Sequence, residues 1–296
     1  MTFKQKWLEA VKRKNSVLCA GLDPAVFEMG RGDEGLPQDR GKLGWSAEYI
    51  NTIAPFCAAV KPNVQYWKGR EDAATLVLLT ELAHDLGMVV IRDDKLADIG
   101  PTNGAGMFYV AQSGADAVTF SPFAGNMKEA AGQGKKYGLG VIAMCLMSNP
   151  EYKAEKGKLL PVSFNGPYDP EDLVVLRDNV DAGGYVRQYL RLANDAEECG
   201  IDGIVIGAPS GKNHITEEEI KMARKYAGDE MLVLLPGVGA QGGEASAIWK
   251  YFRPENVIVN VGRAVMFPNG SKSTPEQQAA AAKQYMEMLN NLRKAA

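Results

Sequence analysis

Met88-Val89-Val90-Ile91-Arg92-Asp93-Asp94-Lys95-Leu96-Ala97-Asp98-Ile99-Gly100-Pro101-Thr102 carries an apolar run straight into a cluster of charge. A buried strand that ends in such a cluster is the pattern from which the rest of the chain can be read. Alternate side chains of a strand share a face, so Asp93 and Lys95 are expected to point the same way at the strand's C-terminal end, with Asp98 on the loop that follows. Asp94 is expected to face the opposite way, towards a helical layer, and to pair with a basic group there. Ionised side chains are rarely buried unless paired, so the cluster reads either as a surface ion pair or as a site that does chemistry.

Seven further short apolar runs have the same character: Ser16–Leu22, Phe56–Lys61, Ala117–Phe120, Gly140–Leu146, Gly203–Gly207, Met231–Pro236 and Val257–Val261. With Met88–Asp93 they make eight, and most are continuous rather than alternating. Strands apolar on both faces belong to parallel sheets covered by helices, and eight of them predict a single (β/α)8 TIM barrel over residues 1–296. A doubly wound open sheet would need a Gly-rich fingerprint after its first strand, and Ala20-Gly21-Leu22-Asp23-Pro24 is no GxGxxG. Helices are expected at Thr75–Leu86, Gly104–Ser113, Ala124–Lys135, Gly183–Cys199, Glu217–Tyr226 and Glu244–Tyr251, with the tail Pro275–Lys294 closing the outer ring. Long loops are expected after strand one, from Pro24 to about Trp45, and after strand five, from Asn149 to about Ala182. The second reads equally as a lid or as a passive insertion.

Composition narrows the class. With 33 basic and 36 acidic residues and a net charge of -3, the chain has no basic surplus, so neither nucleic acid nor an anionic membrane is an expected partner. No apolar run approaches a membrane span, and the first residues lack the features of a signal peptide, so a cytoplasmic enzyme is expected. The four cysteines, Cys19, Cys57, Cys145 and Cys199, form no CxxC pair and read as reduced and structural.

The strand ends collect polar groups: Asp23 after strand one, Lys61 after two, Asp93, Lys95 and Asp98 after three, Ser148 after five, Gln241 after seven, and Gly262-Arg263 after eight. Pro236-Gly237-Val238-Gly239-Ala240-Gln241-Gly242-Gly243 and Gly262-Arg263 fall where this barrel type commonly holds phosphate. Glycine lets backbone N–H groups approach an anion, and arginine can hold a phosphate with two hydrogen bonds. His84 and His214 lie away from the strand ends and read as bystanders, which leaves little for a His-based triad or a His-ligated metal. Ser148 lacks a nearby base, so it reads as a substrate hydrogen-bonding group or a turn cap rather than a nucleophile.

At this point the residues resemble a known family. Asp93, Lys95, Asp98, Ile99 and Thr102 fit the Asp-x-Lys-x-x-Asp-Ile-x-x-Thr motif of the orotidine 5′-monophosphate decarboxylases. Gly21-Leu22-Asp23, Lys61-Pro62-Asn63, Met147-Ser148-Asn149-Pro150 and the two glycine-containing segments above also agree, and the length is similar to the larger bacterial branch. The resemblance implies that Lys95 protonates C6 of the pyrimidine as carbon dioxide leaves, beside Asp93 and Lys61, with no cofactor or metal. It implies ribose hydroxyls at Asp23 and Lys61, the pyrimidine at Ser148, the phosphate at Gln241 and Arg263, with Pro236 and Gly262 in the substrate site. It also implies a homodimer in which Asp98, Ile99 and Thr102 reach the neighbouring site. Asp94 and Leu96-Ala97 depart from the usual pattern and carry no implied role.

Sugar-phosphate lyases of the same superfamily share the Asp-x-Lys-x-x-Asp core, but they use magnesium and an acidic residue at the end of strand two. This chain has Lys61 there. A nucleotide-binding protein that has lost the chemistry is the reading from a different class, and the intact Asp93, Lys95 and Asp98 argue against it.

Overall fold

The computed structural model describes residues 1–175, 184–239 and 243–295. The strands in chain order are β1 (Leu18–Leu22), β2 (Ala59–Pro62), β3 (Val89–Leu96), β4 (Ala117–Phe120), β5 (Gly140–Leu146), β6 (Leu159–Val162), β7 (Gly184–Arg187), β8 (Gly203–Ile206), β9 (Leu232–Pro236), β10 (Val257–Val261) and β11 (Pro268–Ser271). Eight of them close a parallel ring in the order β1-β10-β9-β8-β5-β4-β3-β2. This is the expected (β/α)8 barrel. Ring strands β1, β2, β4 and β8 are buried along their whole length, which is why their sequences run apolar without alternation.

Helices Asp72–Asp85, Gly100–Gln112, Met127–Tyr137, Gln188–Cys199 and Glu217–Ala227 pack around the ring. The last helix, Pro275–Lys294, packs on Lys42–Ile53 and completes the outer layer. Helix Phe3–Lys14 crosses the N-terminal mouth, where Phe3 sits against Gly140 and the Trp7 indole donates to the Glu255 carbonyl at 2.7 Å. Cys19, Cys57 and Cys145 are buried and all four cysteines are free; burial pushes the Cys19 and Cys145 thiols up to about 12. Among the described residues no helix is long and apolar enough to cross a membrane.

Several boundaries differ from the sequence reading. The first strand starts at Leu18, because the Ser16 hydroxyl accepts the Leu18 amide in a turn. The loop after β1 ends where helix Lys42–Ile53 begins, three residues before Trp45. The helix expected over Gly183–Cys199 begins only at Gln188, since Tyr185 and Val186 pair antiparallel with Leu160 and Pro161 in a hairpin outside the ring. The β-branched and aromatic content of that segment favours the strand. Gly183 and Ala182 lie outside the described residues.

The long connection after β5 is docked against the outer layer over its described part. Lys156, itself buried, bonds Glu219 at 2.5 Å and the His214 carbonyl at 2.6 Å. Lys225 and the Tyr226 hydroxyl both bond Asp172 at 2.5 Å. This part is an anchored insertion.

The barrel's N-terminal end is held by Asp116, which is 3% exposed. It receives Lys6 at 2.8 Å, His84 at 2.9 Å and the Val90 amide at 2.8 Å. Burial works against its charge, but the bonds from His84, Lys6 and Val90 outweigh burial and hold its carboxyl below the ordinary value. A depressed folded-state pKa adds stability above the unfolded value and loses it as pH falls through the folded one. Asp116→Asn is therefore expected to cost about 2 kcal/mol at neutral pH, the scale of hydrogen bonds to a charged group. Urea unfolding at several pH values checks this: the gap between wild type and variant should close below about pH 4, the ordinary carboxylate range.

Candidate active site

β3 does not end at Asp93 but runs on to Leu96 through a bulge. Arg92 pairs with Val118 and Leu96 with Phe120, so β3 advances four residues while β4 advances two. Within the bulge Lys95 adopts a left-handed backbone with φ of 51°. A non-glycine residue held there costs about 1–3 kcal/mol and persists only where its surroundings impose it.

The bulge delivers Asp93 and Lys95 to the same side. Asp93 is buried, and its two carboxylate oxygens each take a lysine: Oδ2 accepts from Lys61 Nζ at 2.5 Å and Oδ1 from Lys95 Nζ at 2.6 Å. Lys61 is 6% exposed at the end of β2, whereas the Lys95 side chain is 44% exposed at the open mouth. Burial raises the cost of the Asp93 charge, yet Lys61 and then Lys95 overcome it and hold the carboxyl well below the ordinary range. Burial likewise opposes the Lys61 charge, and Asp93 followed by Asp23 keeps it above its ordinary value.

Arg92 and Asp94 take the outer face. They form a two-point pair at 2.9 and 2.6 Å, and Arg92 also donates to the Ser113 hydroxyl at 3.2 Å. Asp94 thus faces away from Asp93 and pairs with a basic group, as the alternation of the strand predicts. Asp94→Asn is expected to lower stability by about 1–3 kcal/mol while leaving the charge array of Lys61, Asp93 and Lys95 intact. Thermal melting and turnover of the same preparation check this; turnover should stay within about twofold, because the Asp94 side chain bonds Arg92 on the outer face, away from the array.

Asp23, just beyond β1, has an oxygen, Oδ1, that is buried without a hydrogen-bond partner among the described residues, and burial raises its pKa. It lines a cavity of about 140 Å³ with Pro236, Gly237, Val238, Asn260, Gly262 and Arg263. The cavity lies where β1 meets β10. A Cβ on Gly21 would come within 2.8 Å of the Gly262 Cα, so this approach requires glycine. Arg263 is held by Glu34 of the β1 loop at 2.6 and 2.8 Å. Gln241 lies outside the described residues.

The remaining predicted residues stand apart from the charge array. Ser148 follows β5 and packs on Gly207, where a Cβ would come within 2.6 Å of the serine's own. Asp98, Ile99 and Thr102 are exposed, Ile99 by 62%. The Asp98 carboxylate accepts the Ile99 amide at 2.7 Å, and among the described residues no bond joins it to Asp93 or Lys95. Thr102 lies in a helix that begins at Gly100, four residues before the expected start, because Pro101 fits its first turn and buried Asn103 bonds both backbone groups of Asp98.

One buried residue of the array is missing from the sequence reading. Thr119, in the middle of β4, accepts the Lys95 amide at 3.0 Å and lies 2.9 Å from Asp93 Oδ1. A threonine in an apolar strand carries no mark of such a role. The only hint is that Ala117-Val118-Thr119-Phe120 places its polar residue beside the charged end of β3.

Residues 16–160 match the orotidine 5′-phosphate decarboxylase / HUMPS family. An orotidine 5′-phosphate decarboxylase from Variovorax paradoxus is 31% identical over 98% of this chain and 98% of its own length. The chain belongs to the orotidine 5′-phosphate decarboxylase family. A family protein of the same name from Roseiflexus castenholzii is 30% identical, again covering 98% of both chains. The fold extends to more distant proteins: the structure of Leishmania donovani OMP decarboxylase superposes with a TM-score of 0.72 at 22% identity, covering 100% of both chains.

Proposed function

We propose that this chain decarboxylates orotidine 5′-monophosphate to uridine 5′-monophosphate in pyrimidine nucleotide biosynthesis, without a cofactor. The observation that carries the reading is the buried Asp93 carboxylate shared between Lys61 and Lys95 at 2.5 and 2.6 Å. In this reading the bond from C6 to the carboxylate breaks, carbon dioxide leaves, and the electron pair stays at C6. Lys95 Nζ delivers a proton to that carbon and regains one from solvent. Asp93 repels the substrate carboxylate, and that repulsion eases as charge moves into the ring, where Lys95 stabilises it. Interactions stronger in the transition state than in the ground state are those that raise turnover.

Asp23 and Lys61 take ribose hydroxyls, and the buried Asp23 oxygen, which has no partner among the described residues, supports a hydroxyl donor there. Ser148 takes the pyrimidine. Arg263, Gln241 and the cavity edge at Pro236 and Gly262 take the phosphate, with Arg263 exchanging Glu34 for it. Binding energy from a phosphate remote from the reacting carbon can serve to close and order the site. Asp98, Ile99 and Thr102 extend to the site of a second copy in a homodimer; their exposure supports this. A divalent ion at Asp93 would meet two ammonium groups, which weighs against a magnesium-dependent lyase.

The test follows the absorbance change from orotidine to uridine monophosphate with EDTA-treated protein. Turnover should persist, and its absence would sink the reading. Lys95→Ala should lose at least about a thousandfold in kcat, the scale of proton transfer with electrostatic stabilisation, while still binding uridine monophosphate. Arg263→Ala should instead raise KM about 10- to 100-fold, as expected for charge-assisted bonds to phosphate. Comparable small effects from both variants would contradict the assignment.

A further inference from the structure

Thr119 is fully buried and sits opposite the bulge of β3, touching it at two points. Its Oγ1 accepts the Lys95 backbone amide at 3.0 Å and lies 2.9 Å from Asp93 Oδ1. A hydroxyl carries one proton and two lone pairs. Lys95 N–H occupies a lone pair, and an ionised carboxylate only accepts, so the single hydroxyl proton is committed to Asp93. Asp93 then holds three donors: Lys61 on Oδ2, with Lys95 Nζ and Thr119 on Oδ1.

The two bonds act on different parts of the same device. At the bulge the ladder is interrupted, and Thr119 supplies the hydrogen bond to Lys95 N–H. That is also the residue whose left-handed φ of 51° needs an external restraint. The bond to Asp93 meanwhile fixes the rotation of a carboxylate that two ammonium groups compete for. Valine would match the shape of Thr119 and offer neither bond.

We propose that Thr119 is a positioning residue, whose hydroxyl ties the left-handed backbone of Lys95 and the carboxylate of Asp93 to one point on β4, so that the Lys95 ammonium is aimed by the barrel wall. The inference rests on the reading of Lys95 as proton donor. A misplacement on the ångström scale can cost about a hundredfold in rate.

The experiment compares wild type, Thr119→Val, Thr119→Ala and Thr119→Ser, measuring kcat and KM for orotidine monophosphate and hydrogen exchange of the Lys95 amide. Valine and alanine should lower kcat about 10- to 100-fold, leave KM within about twofold, and speed exchange at Lys95. Serine should restore kcat to within about threefold of wild type and restore amide protection, because it keeps the hydroxyl. If valine does not fold, alanine against serine carries the same comparison. Wild-type turnover and protection in valine or alanine would overturn the proposal, as would a serine variant no better than either. A wild type without turnover, but with exchange responding as described, would sink the decarboxylase reading and uphold the positioning role.

Discussion

A buried carboxylate shared by two lysines governs the mouth of this barrel. Burying one ion is costly, and the cost is offset only when partners with good geometry accompany it. Asp93 meets that condition with Lys61 from the neighbouring strand, Lys95 from its own and Thr119 from the other side, so three adjacent strands must be in register for the group to stay charged. The core below makes this possible. Strands apolar on both faces lock the ring, and the lysine–aspartate array sits at its C-terminal end, where the Lys95 side chain reaches solvent.

Much of this was legible in the chain. Continuous apolar runs announced buried parallel strands, and their number announced closure. The period of two placed Asp94 on the outer face, and its partner turned out to be Arg92, two residues back on that face. The same reasoning missed the bulge, because alternation assumes a regular strand and nothing in Asp93-Asp94-Lys95-Leu96 signals a left-handed residue; a lysine there is set by tertiary contacts, not by local preference. Thr119 was invisible for a related reason. A threonine is at home in any strand, and its meaning comes entirely from what lies across from it.

The insertion after β5 shows where composition fails. Its lysines and prolines read as loop, yet Lys156 is buried and Lys225 and Tyr226 grip Asp172 from a distant helix. Ion pairs of this kind join segments far apart in sequence, and no window along the chain contains both partners. The exposed Asp98, Ile99 and Thr102 are a further case: their surroundings within one chain leave them at the surface, so one chain's contacts assign them no role.

The close approach of Gly21 to Gly262 makes the small cavity a seam, because it joins the first strand of the ring to the last. Asp23 belongs to the opening of the chain and Arg263 to its closing segment. No partial chain emerging during synthesis can bring those two residues together before β10 has been made. Any molecule that bound across this seam and not to the unfolded chain would act as a rivet, favouring the closed ring over every opened form by the free energy of its own binding.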